Sequence, residues 1–389
     1  MKTLHINKKI TIVITLILLV STISGCGDYN EVDDLNVVVG LSIDEISHHR
    51  LRVTCDIMNP GDSKGEGGAM SNNEDYVVTG EGDSMSSALQ NIQGKVSKRV
   101  YLSHNTLVVF SNRVVSSDFV SILDELYRNR EMRLNQVLAI VNGDTSHIWN
   151  ASKHSSSPLA LEIREAIQQW AKCSNAFATE QFRFLRDFNG PFGLGRLVWL
   201  NPTDGKSVVG IGEVDHNGRI MWLPICSSAD DGTLWVMGDT HNVLQRVSFL
   251  DPTMHDRGFA CLHWTTTSTN FQWVCQNHGL TLRIKWRGIG YIESMTEGHE
   301  SDQIVYRAIE SAVAIAVEHD MMRAIEKMRE SDIDGFEMRA DLYRASPEIS
   351  RRMEDMDPDW WKTCEVSFDV RPHIVHSSLA TNSPKVSGD

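Results

Sequence analysis

Apolar residues along this chain follow two rhythms, and each predicts its own kind of element. Leu35 to Ile43 (LNVVVGLSI) is β-rich and almost wholly apolar, which predicts a buried strand. Leu51 to Met58 alternates apolar and polar positions and predicts a hairpin partner across a His48-His49 turn. Asn59 to Asn73 is rich in Gly, Ser and Asn without an apolar period, and reads as a mobile loop. Tyr76 to Thr79 is a short strand, after which Asp83 or Ser84 can cap a helix running to about Val96. Thr106 to Phe110 is another strand, and Ser117 or Asp118 can cap a second helix to about Tyr127. Gln136 to Val141 is a strand, followed by a helix start at Asp144-Thr145. Ser155 to Pro158 breaks the pattern and Leu159 to Ala171 resumes as a helix. This alternation predicts an α/β layer with some parallel pairing.

The rhythm changes near Asn189-Gly190-Pro191 and Gly193 to Gly195, where turn residues place a boundary. Val208 to Val214 and Ile220 to Leu223 flank His216-Asn217-Gly218, a hairpin signal. Thr233 to Met237 extends this sheet or starts a helix. Phe271 to Cys275, Leu280 to Trp286 and Gly288 to Glu293 read as strands. Then comes the clearest helix, Gln303 to about Glu330, with Val305, Ile309, Val313, Ile325 and Met328 at helical spacing. At 1.5 Å per residue it spans roughly 42 Å. Ala312 to Val317 is apolar all round and predicts cover on more than one side. Cys364 to Val370 is a closing strand. The expected architecture is α+β: three domains of mixed β-sheets flanked by helices, with the long helix packed on the C-terminal sheet. The expected division is a leader at 1–25, an N-terminal α/β domain at 26–192, a small β-rich middle domain at 193–262, a C-terminal α+β domain at 263–376 and a disordered tail at 377–389.

The leader changes the picture most. Lys2, Lys8 and Lys9 precede an apolar run from Ile10 to Val20, interrupted by Thr11 and Thr15. That run has the length of a signal-peptide core and is too short for a stable span of roughly 20 residues. Ile23-Ser24-Gly25-Cys26 follows: an aliphatic residue, two small residues and a cysteine, the order of a lipobox. The small residues let the extended chain enter a peptidase, and the Cys26 thiolate accepts a diacylglyceryl group. Two acyl chains give stable anchoring where one short chain would not. Gly27 to Asp34 is polar and reads as a tether.

Composition narrows the remaining chemistry. Removing the three leader lysines takes the formal charge from −14 to −17, which argues against nucleic acid or an anionic bilayer as the main partner. Six cysteines besides Cys26 (Cys55, Cys173, Cys226, Cys261, Cys275 and Cys364) lie at wide spacings without C-x-x-C, so free thiols are expected rather than a metal site. If a bridge forms, Cys261–Cys275 is the expected pair. His241, His255, His263 and His278 show no i, i+4 pairing, and no zinc ligand set or other cofactor site is read from them. Gly82-Asp83-Ser84-Met85 resembles the nucleophile block of some esterases, but no Asp-x-x-His follows near the C-terminus. Capping is the simpler reading of Ser84, and no catalytic residue is assigned. Arg99 and His104 flank a strand start and are read as packing residues or a binding pair. Gly335 in Asp332-Ile333-Asp334-Gly335-Phe336 suits a left-handed helix cap, with Phe336 packing back on the helix. Of Trp360 and Trp361, one is expected in the core and the other as a candidate partner contact.

Four stretches together carry a family resemblance. They are the lipobox with an acidic segment and NVVVGLSID; Gly80-Glu81-Gly82 with Lys98-Arg99, Tyr101 and His104; Val208 to Gly238 with GIGEVDHNGRIMWLP and Gly232-Thr233-Leu234-Trp235; and the long helix with Asp332 to Phe336 and Trp360-Trp361. In this order the chain resembles the Ger(x)C, or GerAC-like, spore germination lipoproteins, the C subunits of nutrient germinant receptors. Gly27 stands where the family often has Trp. The resemblance implies a three-domain body, palmitate-type lipid on Cys26, and a place on the outer face of the spore inner membrane beside integral-membrane A and B subunits. It implies a role in the response to nutrient germinants, by protein–protein interaction and not catalysis. The competing reading is a lipid-anchored solute-binding protein that captures a small-molecule nutrient directly. It ranks second because the segments are unequal and form no two similar lobes.

Overall fold

The computed structural model describes residues 34–58, 76–150, 158–204, 207–225, 232–238, 240–253, 255–276, 279–296 and 303–375. Cys26, the tether before Asp34, the 59–73 loop, Cys226, His278 and the tail from Ser377 lie outside these residues.

Nine strands form the first sheet: β1 (Leu35–Ser47), β2 (Arg50–Met58), β3 (Tyr76–Gly82), β4 (Arg99–Tyr101), β5 (Leu107–Ser111), β6 (Val137–Val141), β7 (Leu194–Leu200), β8 (Val208–Asp215) and β9 (Ile220–Pro224). Their order is β3-β2-β1-β5-β6-β7-β8-β9, with β4 beside the start of β1. Strands β1, β5, β6 and β7 run parallel, and antiparallel hairpins extend both flanks. The near-continuous apolar run of β1 follows from burial on both faces. Leu35, Val37 and Val39 enter one core, while Val38, Leu41 and Ile43 enter the other. A register shift between Val38 and Gly40 flips the alternation there. One face is covered by α1 (Met85–Gln93), α2 (Asn112–Ser117), α3 (Phe119–Arg128) and α6 (Gln181–Phe188). The other receives α4 (Ser146–Asn150) and α5 (Leu159–Cys173).

The second sheet has the order β10 (Val243–Leu250), β11 (Arg257–Gln276), β12 (Gly279–Met295), β13 (Glu365–Ile374). Its first three strands are antiparallel, and β13 joins β12 in parallel. The separate strands expected over 271–293 are thus two long arms of one hairpin. Helix α7 (Gly232–Met237) and the long α8 (Gln303–Ser331) pack on the inner face, where Trp264 and Trp286 meet edge to face at 5.3 Å. Helices α9 (Met338–Ala345), α10 (Pro347–Met356) and α11 (Trp360–Thr363) lead into β13.

The fold is α+β with mixed sheets, and the long helix lies on the C-terminal sheet. Three local expectations need correction. Strands β7–β9, read as part of a separate β-rich module over 193–262, continue the first sheet, because β7 pairs in parallel with β6 (Ala139↔Val198). Ile315 is 70 % exposed, so the middle of α8 buries a single stripe, through Val313 and Val317. Cys261 and Cys275 are free and lie on the same strand, β11. At about 3.3 Å per residue they are roughly 46 Å apart, far beyond disulfide reach.

Candidate functional site

The motif after α8 meets the hairpin of the first sheet and forms the junction between the two sheets. Asp332 takes the left-handed conformation (φ 59°) where Gly335 was expected to do so, and Asp tolerates that region through its short polar side chain. At Gly335 a Cβ would lie 1.8 Å from Cε of Met221 on β9, the far end of a flexible side chain that would have to shift to admit one. Ile333 and Phe336 are buried beside it, and Ser331 Oγ donates to Met221 Sδ at 2.9 Å.

Charged groups close the same junction. Arg219, just past the β8–β9 turn, holds Asp215 at 2.7 Å and Asp332 at 2.5 Å. Lys362 pairs with Asp332 and, at 3.0 Å, with Asp359. The hydrogen bonds from Lys362 and Arg219 hold the Asp332 carboxyl below its usual range. Deeper in, Glu213 on β8 is buried, accepts from Arg196 Nε at 2.6 Å, and is pushed up to about 7 by burial. Arg196 also reaches Glu337 of the motif loop at 2.9 Å. Asp334 is buried too, and burial raises its carboxyl to about 7. Beside Asp332 lies a cleft of about 280 Å³ lined by Asp215, Asn217, Arg219, Asp334, Arg339 and Trp361. Arg339 is tied to Glu354 by two bonds of 2.8 and 2.5 Å and lies 5.1 Å from the Phe192 ring centre.

Trp360 and Trp361 are both buried, which corrects the expectation that one of them would face outward. Trp360 stacks edge to face on Trp273 and donates to Glu354 at 3.1 Å, while Trp361 forms a wall of the cleft. Arg99 and His104 do not line this cleft. Arg99 is exposed and paired with Glu131, and His104 is exposed with its ring 5.9 Å from Tyr101. Ser84 is the N-cap of α1, its hydroxyl accepting from Ser87 N at 3.1 Å. His263 hydrogen-bonds the Tyr291 hydroxyl, and His241 and His255 are exposed. The Arg219–Asp332 clasp and the Arg196–Glu213 pair escape a reading of the sequence. Arg219 and Asp332 stand 113 residues apart, and no local pattern links them.

Residues 28–197 match the family described as "Spore germination protein N-terminal domain", and residues 230–378 match "Spore germination B3/ GerAC like, C-terminal". The chain belongs to the GerAC-like family of spore germination proteins. This GerAC-like chain is 22 % identical to spore germination protein KC of Bacillus subtilis (strain 168), over 97 % of the chain and 98 % of that protein. It is also 22 % identical to the putative spore germination protein YfkR of the same organism, over 91 % of each. Its fold matches the crystal structure of the GerBC protein with a TM-score of 0.50 at 14 % identity, over 89 % of the chain and 100 % of that structure. The two matched regions meet at a second ion pair, Arg196–Glu337. Glu337 lies in the second and Arg196 in the first, and their side chains touch.

Proposed function

We propose that this chain is the lipid-anchored C subunit of a nutrient germinant receptor, held at a membrane by Cys26 and acting through protein–protein contacts without catalysis. The observation that carries the reading is the family match to both halves, residues 28–197 and 230–378. The names of the two Bacillus relatives support germination as the process. The lipobox at Ile23 to Cys26 supports the anchor. Among the described residues no helix is long and apolar enough to cross a membrane, so in this reading attachment rests on the lipid. The partners are the integral-membrane A and B subunits, on the outer face of the spore inner membrane. Confinement to that surface raises the body's effective concentration near them without any new contact. Asp332, Gly335, Phe336 and Trp360 serve the body's own cohesion in this reading, and the exposed Arg99 and His104 remain open to a partner. Direct capture of a nutrient by this subunit is favoured by no particular observation.

The test is affinity purification of the C-terminally tagged chain from detergent-solubilised spore membranes. Two multi-pass membrane proteins are expected to co-purify. The Cys26→Ala chain is expected to stay unprocessed, to take no palmitate label and to lose most of those partners. Retained label in the variant would remove the anchor, and absence of membrane partners from the unaltered chain would remove the receptor role.

A further inference from the structure

Among the described residues, the second sheet has one of its faces covered. Along β12 the even-numbered side chains from Leu280 to Trp286 enter the core, so Arg283, Lys285, Arg287 and Ile289 point outward. The register carries this outer face to Arg371 on β13, and to Arg257 and Arg246 on β11 and β10. Among the described strand residues, six cations therefore share this face with three acids: Glu293, Glu365 and Asp369. Asp369 is engaged by Arg287 and Arg371 (2.9 Å each), and Glu293 lies 3.5 Å from His263. Arg246, Arg257, Arg283 and Lys285 have no carboxylate partner among the described residues. Large apolar side chains stand among them. Leu244 is 56 % exposed, Leu250 64 %, and Phe259 and Ile289 46 % each, with Arg246 4.5 Å from the Phe259 ring centre.

We propose that this outer sheet face lies against an anionic phospholipid surface. It is a locally basic, partly apolar face on a chain whose formal charge after the leader is −17. Cations mixed with exposed apolar and aromatic side chains are the chemistry that anionic headgroups and the adjoining acyl boundary attract. The net charge of the whole chain does not prevent this. The Debye length at physiological salt is about 8 Å, and one packed layer behind the sheet is about 10 Å thick, so the bilayer responds mainly to the nearest face. The acidic remainder then turns away from the surface, and the charge asymmetry orients the body. The proposal rests on the reading that Cys26 keeps the body beside a membrane. The tether to Leu35 can reach about 30 Å when extended.

The test uses the chain from residue 27 onward, which contains every described residue and lacks Cys26. Its outcome is therefore independent of lipidation. The chain is sedimented with phosphatidylcholine vesicles, with and without phosphatidylglycerol. Partition is expected only with phosphatidylglycerol and is expected to fall at high salt. Arg283→Glu with Lys285→Glu is expected to weaken it by at least about thirtyfold. Arg130→Glu with Arg133→Glu, the same charge change at exposed positions of the first half, is expected to leave it nearly unchanged. Arg246→Gln with Arg257→Gln repeats the measurement if the first pair misfolds. Absence of phosphatidylglycerol-dependent partition, or equal weakening by the control pair, overturns the proposal. So does binding of this face to solubilised membrane proteins without vesicle binding, which would assign it to a protein partner.

Discussion

Asp334 caps helix α9 from outside it. Its two carboxylate oxygens accept from the backbone N–H of Met338 at 2.9 Å and of Arg339 at 2.8 Å. The formal cap residue, Glu337, sits in the left-handed region and offers no side-chain bond. Asp334→Ala would strand these donors, and a loss of about 1–3 kcal/mol is expected from the urea midpoint. The same carboxyl titrates near 7 when folded, against 3.8 for the ordinary group, because burial disfavours its charge. The unfolded chain therefore releases this proton first as pH rises. Asp334 contributes its full stability below about pH 4 and loses it as pH climbs through about 7. Melting temperatures across that window should fall less for Asp334→Asn than for the unaltered chain; parallel curves would refute the assignment. Asp332 is the contrast, since its partners Arg219 and Lys362 hold it at an exposed position. Asp332→Asn keeps the left-handed turn and should cost less than about 1 kcal/mol, an effect that vanishes in high salt.

At the scale of elements, α7 approaches α8 more closely than side chains permit. A Cβ on Gly232 would lie 2.0 Å from the backbone oxygen of Asp320, and neither backbone can move aside cheaply. Gly232→Ala should destabilise by about 1–3 kcal/mol or more. It should also alter the near-UV circular dichroism, because α7 carries the buried Trp235 to within 5.7 Å of Trp286. An unchanged spectrum and midpoint would show that the contact is slack. Much of this level was legible beforehand. The stripe Val305, Ile309, Val313 and the doubly apolar run of β1 fix their elements through hydrophobic period alone. Neighbours were legible only within hairpins, as for β1–β2 and β8–β9. A period says which face of β7 is buried but not that β6 lies beside it, so the middle module read from turn residues divides: β7–β9 continue the first sheet and β10 belongs to the second. At the junction, the burial of Phe336 was readable from the motif. The left-handed Asp332, the outlying cap at Asp334 and the burial of both tryptophans were not, because each depends on what the other sheet presents.

At the scale of the molecule, one hydrophobic cluster runs from Val37 and Val198 in the first sheet to Trp264, Trp286 and α8 in the second. The clasps Arg219–Asp332 and Arg196–Glu337 bind the same seam. Unfolding should therefore be a single cooperative transition, with tryptophan fluorescence and far-UV circular dichroism changing together. Two separated transitions would show that the sheets stand independently. The parallel pairing of β13 has a consequence in time. Thr281 finds Glu365 at a separation of 84 residues, so the second sheet is complete only once the chain has been made through Ile374. The first sheet has all its strands by Pro224 and can form early. Distant pairing closes slowly, so the C-terminal half is the late step of folding. Until β13 arrives, β12 is an open strand edge with Leu282, Ile284 and Trp286 on one face, and so a place where misassembly can start.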